Sequence, residues 1–297
     1  RHIWYTGVIA HATQTDYTAY GIPRNHPSIV KGKAGSPYAI RDYYDVDPDL
    51  AVNVNQRMKE FETLIERTHA NRLKVIIDFV PNHVSRQYQS LAKPRRVKDL
   101  GETDNPNIAF SPDNNFYYIP GQKLEGEIDL HNESMGDYYE SPAKATGNNR
   151  FDAYPNRNDW YETVKLNYGT DYIHNTGNHF SPIPDTWHKM KDILLFWAGK
   201  GIDGFRCDMA EMVPCEFWGW AIPEVKAQYP NLIFIAEVYN PNEYRNYLFN
   251  GKFDYLYDKV GLYDTLRGVI CGYNSATAIT SCWQSVNDIQ DHMLNFL

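Results

Sequence analysis

Apolar residues along this chain fall into short runs with two alternating periodicities. Residues 3–9 (IWYTGVI) and 75–80 (VIIDFV) are nearly continuous β-branched and aromatic stretches, the pattern of strands covered on both faces. Between them, over 54–71, Met58, Phe61, Leu64 and Ile65 recur at helical spacing with charges elsewhere, which predicts an amphipathic helix. The same alternation returns further on. Trp187, Met190, Ile193, Leu194 and Trp197 mark a helix ended by Gly199 and Gly201, and a strand ending in Asp208 follows. Pro214 stands where a first helical turn tolerates it, ahead of Phe217, Trp218, Ala221, Ile222 and Val225 on the next helix. Residues 232–237 (LIFIAE) read as a strand, Pro241 opens a short helix, and Phe253 to Tyr257 reads as a further strand. The spacing of Val286, Ile289 and Met293 predicts a helix over 275–294, and Asn295, Phe296 and Leu297 read as the start of a strand.

Two polar stretches interrupt this rhythm. Residues 10–53 are rich in Gly, Pro, Asn and Asp and read as a long loop. Residues 84–182 show little periodicity until Val164 to Tyr168 and are too long for a structureless loop, so they read as a small irregular inserted domain. Alternating strands and helices fit either an open doubly wound sheet or a closed (β/α)8 barrel. No GxGxxG or GxxxxGK[ST] turn follows a strand, whereas polar residues gather at strand carboxyl ends: Asp78 with Asn82 and His83, Arg206 with Asp208, then Glu237. That placement favours the barrel. The expected division is barrel over 1–83, insertion over 84–182 and barrel again over 183–297.

Composition narrows the function classes. A formal charge of -8 and a pI near 5.7 give no electrostatic reason for a nucleic-acid partner. Mean hydropathy is -0.57 and the apolar runs fall far short of the roughly 18 residues that a membrane span needs. Cys207, Cys215, Cys271 and Cys282 have no metal-ligand or disulfide-framework spacing. Tyrosine is abundant, with 23 copies, and such amphipathic rings suit half-wet surfaces, including those on which sugars stack.

The chemistry centres on residues 201–208, GIDGFRCD. Side chains alternate faces along a strand, so Arg206 and Asp208 point the same way. The guanidinium is expected to hold Asp208 ionised, as a nucleophile needs. Glu237 ends the next strand, and neighbouring strands lie about 4.8 Å apart, within reach of the ~5 to 5.5 Å carboxyl separation of retaining glycoside hydrolysis. Desolvation and a negative neighbour are expected to raise the Glu237 pKa, which suits a general acid. Two other readings stand beside this one. One is a structural Arg–Asp pair at a strand end. The other is a metal-dependent barrel enzyme with Asp78, His83, Asp208 and Glu237 as ligands, against which the charge of Arg206 counts. Asp45, Asp47 and Asp49 read as a solvated turn, since Pro48 and the absence of a following glutamate break a calcium-loop pattern.

The ordered set IDFVPNH (77–83), GFRCD (204–208) and IAEV (235–238), with SPYAIRDY (36–43) and VKLN (164–167), closely resembles the α-amylase family of glycoside hydrolases. The resemblance implies a (β/α)8 barrel with its inserted domain after the third barrel strand, of which this chain holds about strands 2 to 6 and the start of 7. It implies retaining cleavage of α-glucans such as starch or maltooligosaccharides, with Asp208 as nucleophile and Glu237 as general acid/base. α-Glucan transglycosylation and a non-catalytic glycan-binding scaffold are the alternatives. Asp78, His83, Arg206 and Tyr38 match positions that shape the sugar site, with Tyr38 stacking on the ring. Asn82 matches a calcium ligand, but Lys165 brings a positive charge where the ion would need an oxygen ligand and counts against that site; no other cofactor is expected. Lys165, standing where many relatives have an aspartate, is similar instead to the neopullulanase and cyclomaltodextrinase branch. Met209 to Met212 lacks the Lys-His pair that many α-amylases carry there. The family's third catalytic aspartate would lie beyond Leu297, so the segment is expected to be inactive alone. Polymer-degrading relatives favour a place outside the cytoplasm, extracellular or periplasmic.

Overall fold

The computed structural model describes residues 1–279. The helix expected over 275–294 runs beyond this range, and the strand start at 295–297 and Cys282 lie outside it. The chain forms two compact units, one from Arg1 to Asp203 and one beginning at Gly204.

In the first unit, β1 (His2–Tyr5) ends where Gly7 turns the chain at φ 70°, a conformation that an L side chain resists. A Cβ at Gly7 would also stand 2.9 Å from the Pro37 Cβ. The single strand expected over 3–9 is therefore split in two. Its second half, β2 (Ile9–His11), pairs antiparallel with β3 (Ile40–Val46). β3 also overturns the reading of 10–53 as loop throughout. All seven of its residues are buried, Arg41, Asp42 and Asp45 included. Asp42 accepts backbone N–H bonds from Tyr44 (2.9 Å), Leu91 (2.7 Å) and Ala92 (2.9 Å), and Asp45 accepts from Arg57 Nε at 2.8 Å. Buried polar groups with partners are tolerated in a strand, and here they mask its apolar pattern.

Helix α1 (Arg57–Ala70) crosses over to β4 (Lys74–Phe79), which runs parallel to β1 with Tyr5 opposite Ile77. Phe61, Ile65 and Thr68 are its buried stripe, and helix α2 (Asp185–Ala198) meets it with Trp197, whose ring lies 5.9 Å edge-on from Phe61. The Trp197 indole N–H donates to the Tyr43 carbonyl at 2.7 Å. β1 differs from its expected burial on both faces: its side chains alternate between exposed and half-buried, with Trp4 45 % exposed. Among the described residues of this unit, β4 alone pairs with it.

Residues 84–182 carry only short strands. β5 (His83–Ser85) leads into them and pairs antiparallel with β6 (Thr163–Lys165) near their end, setting Lys165 opposite His83. Ile119, Leu124, Ile128, Ala143 and Ala153 form a local core, joined by Leu130, Tyr138 and Tyr161. Beside it Arg86 and Glu140 make a buried 2.7 Å ion pair.

The second unit is a parallel sheet in the order β7 (Gly204–Cys207), β8 (Ile233–Ala236) and β9 (Tyr255–Leu256). Gly204 lets β8 approach closely, since a Cβ there would meet Ile233 Cγ1 at 2.5 Å. Helix α3 (Cys215–Gln228) joins β7 to β8 and buries Phe217, Trp218, Ala221, Ile222 and Val225, with the Trp218 ring 4.8 Å from that of Phe253. Among the described residues no helix is long and apolar enough to cross a membrane.

Candidate active site

The candidate residues form a cluster in each unit. In the second, parallel pairing sets Cys207 opposite Ala236, so Asp208 and Glu237 follow as the next residues of adjacent strands. The Glu237 N–H donates to the Cys207 carbonyl at 3.1 Å, which carries the pairing one step past the strand ends. Arg206 lies between the carboxylates as a fork. Its Nη1 donates to Asp208 Oδ1 at 2.8 Å, its Nη2 reaches Glu237 Oε2 at 2.8 Å, and its Nε donates to the Tyr257 hydroxyl at 2.8 Å. All three charged groups are about 5 % exposed, so each contact is made in a poorly screened setting.

Glu237 receives two more bonds. The Met209 backbone N–H donates to Oε2 at 2.8 Å, and the Tyr239 hydroxyl donates to Oε1. Met209 reaches its position in the left-handed region, at φ 43° and ψ 42°. Burial and the nearby Glu237 carboxylate push the Asp208 pKa up to about 7, and the opposing pull of Arg206 does not cancel them. This differs from the expectation that Arg206 holds Asp208 ionised at neutral pH. One guanidinium serves two carboxylates, and Glu237 has two further donors that Asp208 does not share. The pair therefore retains a proton near neutrality.

In the first unit, the Gly7 N–H donates to Asp78 Oδ2 at 3.2 Å at the end of β4. Asn82, His83 and Lys165 meet at the start of the inserted segment. Asn82 Nδ2 donates to His83 Nδ1 at 3.0 Å and to the Gly147 carbonyl at 2.8 Å, while the Lys165 ammonium donates to Asn82 Oδ1. Burial, then the charge of Lys165, lower the His83 pKa to about 3, so its ring is neutral. A backbone hydrogen bond links this ring to Tyr38, and the Trp160 ring lies 5.2 Å from it. The Tyr38 ring is half-buried.

Calcium at Asn82 does not fit these residues. The carboxamide oxygen that would ligate the ion already accepts from the buried Lys165 side chain, whose pKa burial lowers to about 7, and this amine fills the place of an oxygen ligand whether or not it is charged.

Tyr239, the Met209 N–H and Tyr257 were not singled out by sequence reasoning. Tyr239 had a signal: two residues past Glu237, it continues the same-face alternation that linked Arg206 to Asp208. A backbone N–H and a contact from the residue that follows β9 leave no such trace.

The family described as Alpha amylase, catalytic domain, matches residues 3–255. Alpha-amylase 3 of Dictyoglomus thermophilum is 27 % identical over 214 residues, 70 % of this chain and 34 % of that protein. An alpha-1,4-glucan:maltose-1-phosphate maltosyltransferase of Cereibacter sphaeroides is 42 % identical over 57 residues, 19 % of this chain and 10 % of that protein. The crystal structure of an alpha-amylase from Lactobacillus plantarum superimposes with a TM-score of 0.57 at 22 % identity, covering 96 % of this chain and 51 % of that one. The chain thus spans about half of that solved structure and about a third or less of these curated relatives. Its fold is part of a (β/α)8 barrel, the architecture of these neighbours, with the irregular insertion after the strand that carries Asp78.

Proposed function

The chain belongs to the α-amylase family of glycoside hydrolases, and from that premise we propose that it cleaves α-glycosidic bonds of starch or maltooligosaccharides with retention of configuration. Asp208 attacks the anomeric carbon while Glu237 passes its proton to the departing glycosidic oxygen. This leaves a glycosyl ester on Asp208 and an ionised Glu237. Glu237 then takes a proton from water, the hydroxide displaces Asp208, and the acid is restored. The single observation that carries the reading is the Arg206 fork, which holds two buried carboxylates at the ends of adjacent parallel strands. His83 and Asp78 are proposed to receive sugar hydroxyls and Tyr38 to lie against the ring.

The test is proton NMR of a maltoheptaose digest by the full-length protein, with Asp208→Asn as control. The expected result is α-anomer first at the new reducing end, and none from the variant. Early β-anomer, or undiminished turnover by Asp208→Asn, overturns the proposal.

Transglycosylation is a second reading, supported by the likeness to a maltosyltransferase over 57 residues. The same ester would be taken by a sugar hydroxyl in place of water. Products longer than the substrate in that digest would establish it. Lys165 inclines the proposal toward a neopullulanase-like hydrolase, which release of panose from pullulan would test.

A further inference from the structure

We propose that Tyr239 is a positioning residue that keeps the proton of Glu237 on Oε1, directed away from Asp208. This rests on the reading of Glu237 as the general acid. An acid that protonates a leaving group must carry its proton on an oxygen whose partners can accept a hydrogen bond. Apart from Asp208, Oε2 has no such partner among the described contacts. It faces Arg206 Nη2 and the Met209 backbone N–H, both at 2.8 Å, and neither group has a lone pair to offer. A proton on Oε2 would displace one of these donors.

Oε1 faces the Tyr239 hydroxyl, which both donates and accepts. With Glu237 ionised, the phenol donates to it. With Glu237 protonated, the phenol rotates and accepts. Asp208 is the other neighbouring group able to accept, and it shares a hydrogen bond with Glu237. A proton lying between the two carboxyls would neutralise the nucleophile and be lost to the leaving oxygen. Tyr239 thus breaks the symmetry of the pair. Its backbone is fixed for the purpose, since the N–H groups of Tyr239 and Asn240 both donate to Glu211 Oε2, at 3.1 and 3.0 Å. Tyr239 itself stays neutral, because burial and then the Glu237 carboxylate raise its pKa.

A residue that serves only the acid matters in proportion to how much acid the leaving group needs. The experiment compares kcat/KM for maltoheptaose with single-turnover fluoride release from α-maltosyl fluoride, in the full-length protein and in Tyr239→Phe. The sugar leaving group needs a full proton and fluoride needs little. Expected is a fall of about 10- to 100-fold on maltoheptaose, part of the 10²–10⁴ that a general acid contributes, against less than about 3-fold on the fluoride. Equal falls on both substrates, or no fall on maltoheptaose, overturn the proposal. Glu237→Gln separates this from failure of the underlying reading. If Glu237→Gln also loses equally on both substrates, or the wild type turns over neither, Glu237 is not the acid and the role of Tyr239 falls with it.

Discussion

Arg206 grips Glu237 at 2.8 Å with one guanidinium nitrogen while another holds Asp208 at 2.8 Å, so a single planar group sets the spacing of two carboxylates. The third contact, Nε to Tyr257, fixes the plane of the fork. A lysine supplies one mobile point charge and cannot span all three partners. Arg206→Lys should lower kcat/KM on maltooligosaccharides by about 10²- to 10³-fold, the equivalent of about 3 to 4 kcal/mol. Steady-state kinetics reads this directly. A loss below tenfold would mean that the two carboxylates keep their spacing without the fork.

Asp208 gives the protein a stability that falls with rising pH. Burial and the Glu237 carboxylate raise its folded-state pKa to about 7 from an ordinary 3.8, so the folded pair binds one proton, carried by either carboxyl, more tightly than the unfolded chain does. The contribution is present in full below about pH 3.8 and is lost as pH climbs through about 7. Asp208→Asn has no charge to bury. The variant should gain on the wild type by about 1 to 3 kcal/mol between pH 4.5 and pH 8, measured by urea unfolding at both values. A stability difference that does not change with pH would show that Asp208 ionises normally.

Lys165 is expected to make the protein indifferent to calcium at Asn82. The ammonium donates to the only oxygen of that carboxamide, and Asn82 Nδ2 is already committed to His83 and Gly147. Thermal unfolding with millimolar calcium and with excess chelator should give the same Tm to within about 1 °C, since a ligand bound to the folded state alone would raise it. A calcium-dependent rise of several degrees would mean that an ion displaces the lysine.

The elements that position the chemistry were legible because their apolar runs are long or strictly periodic. VIIDFV and LIFIAE gave strands, and the Trp187 to Trp197 stripe gave a helix. β3 was hidden for the opposite reason. Its buried Arg41, Asp42 and Asp45 resemble loop composition until the backbone N–H groups and the Arg57 guanidinium that satisfy them are seen. At the site, the two carboxylates and Arg206 could be read from alternation. Their protonation could not, because the number of donors on each depends on a fork shared across two strands and on the backbone of Met209.

Met209 offers a test of that backbone. Its N–H reaches Glu237 Oε2 only because the residue adopts φ 43° and ψ 42°, where an L side chain costs about 1 to 2 kcal/mol. Glycine enters this region freely, and the donor is main chain, so Met209→Gly should keep activity within about threefold and change stability by less than about 1 kcal/mol. A β-branched side chain is the poorest fit to positive φ. Met209→Ile should destabilise by about 1 to 3 kcal/mol, and in the molecules that remain folded it should withdraw the N–H from Glu237 and lower kcat by tenfold or more. If the glycine variant loses as much activity as the isoleucine variant, the methionine side chain is what matters, and the backbone hydrogen bond is not what holds Glu237 in place.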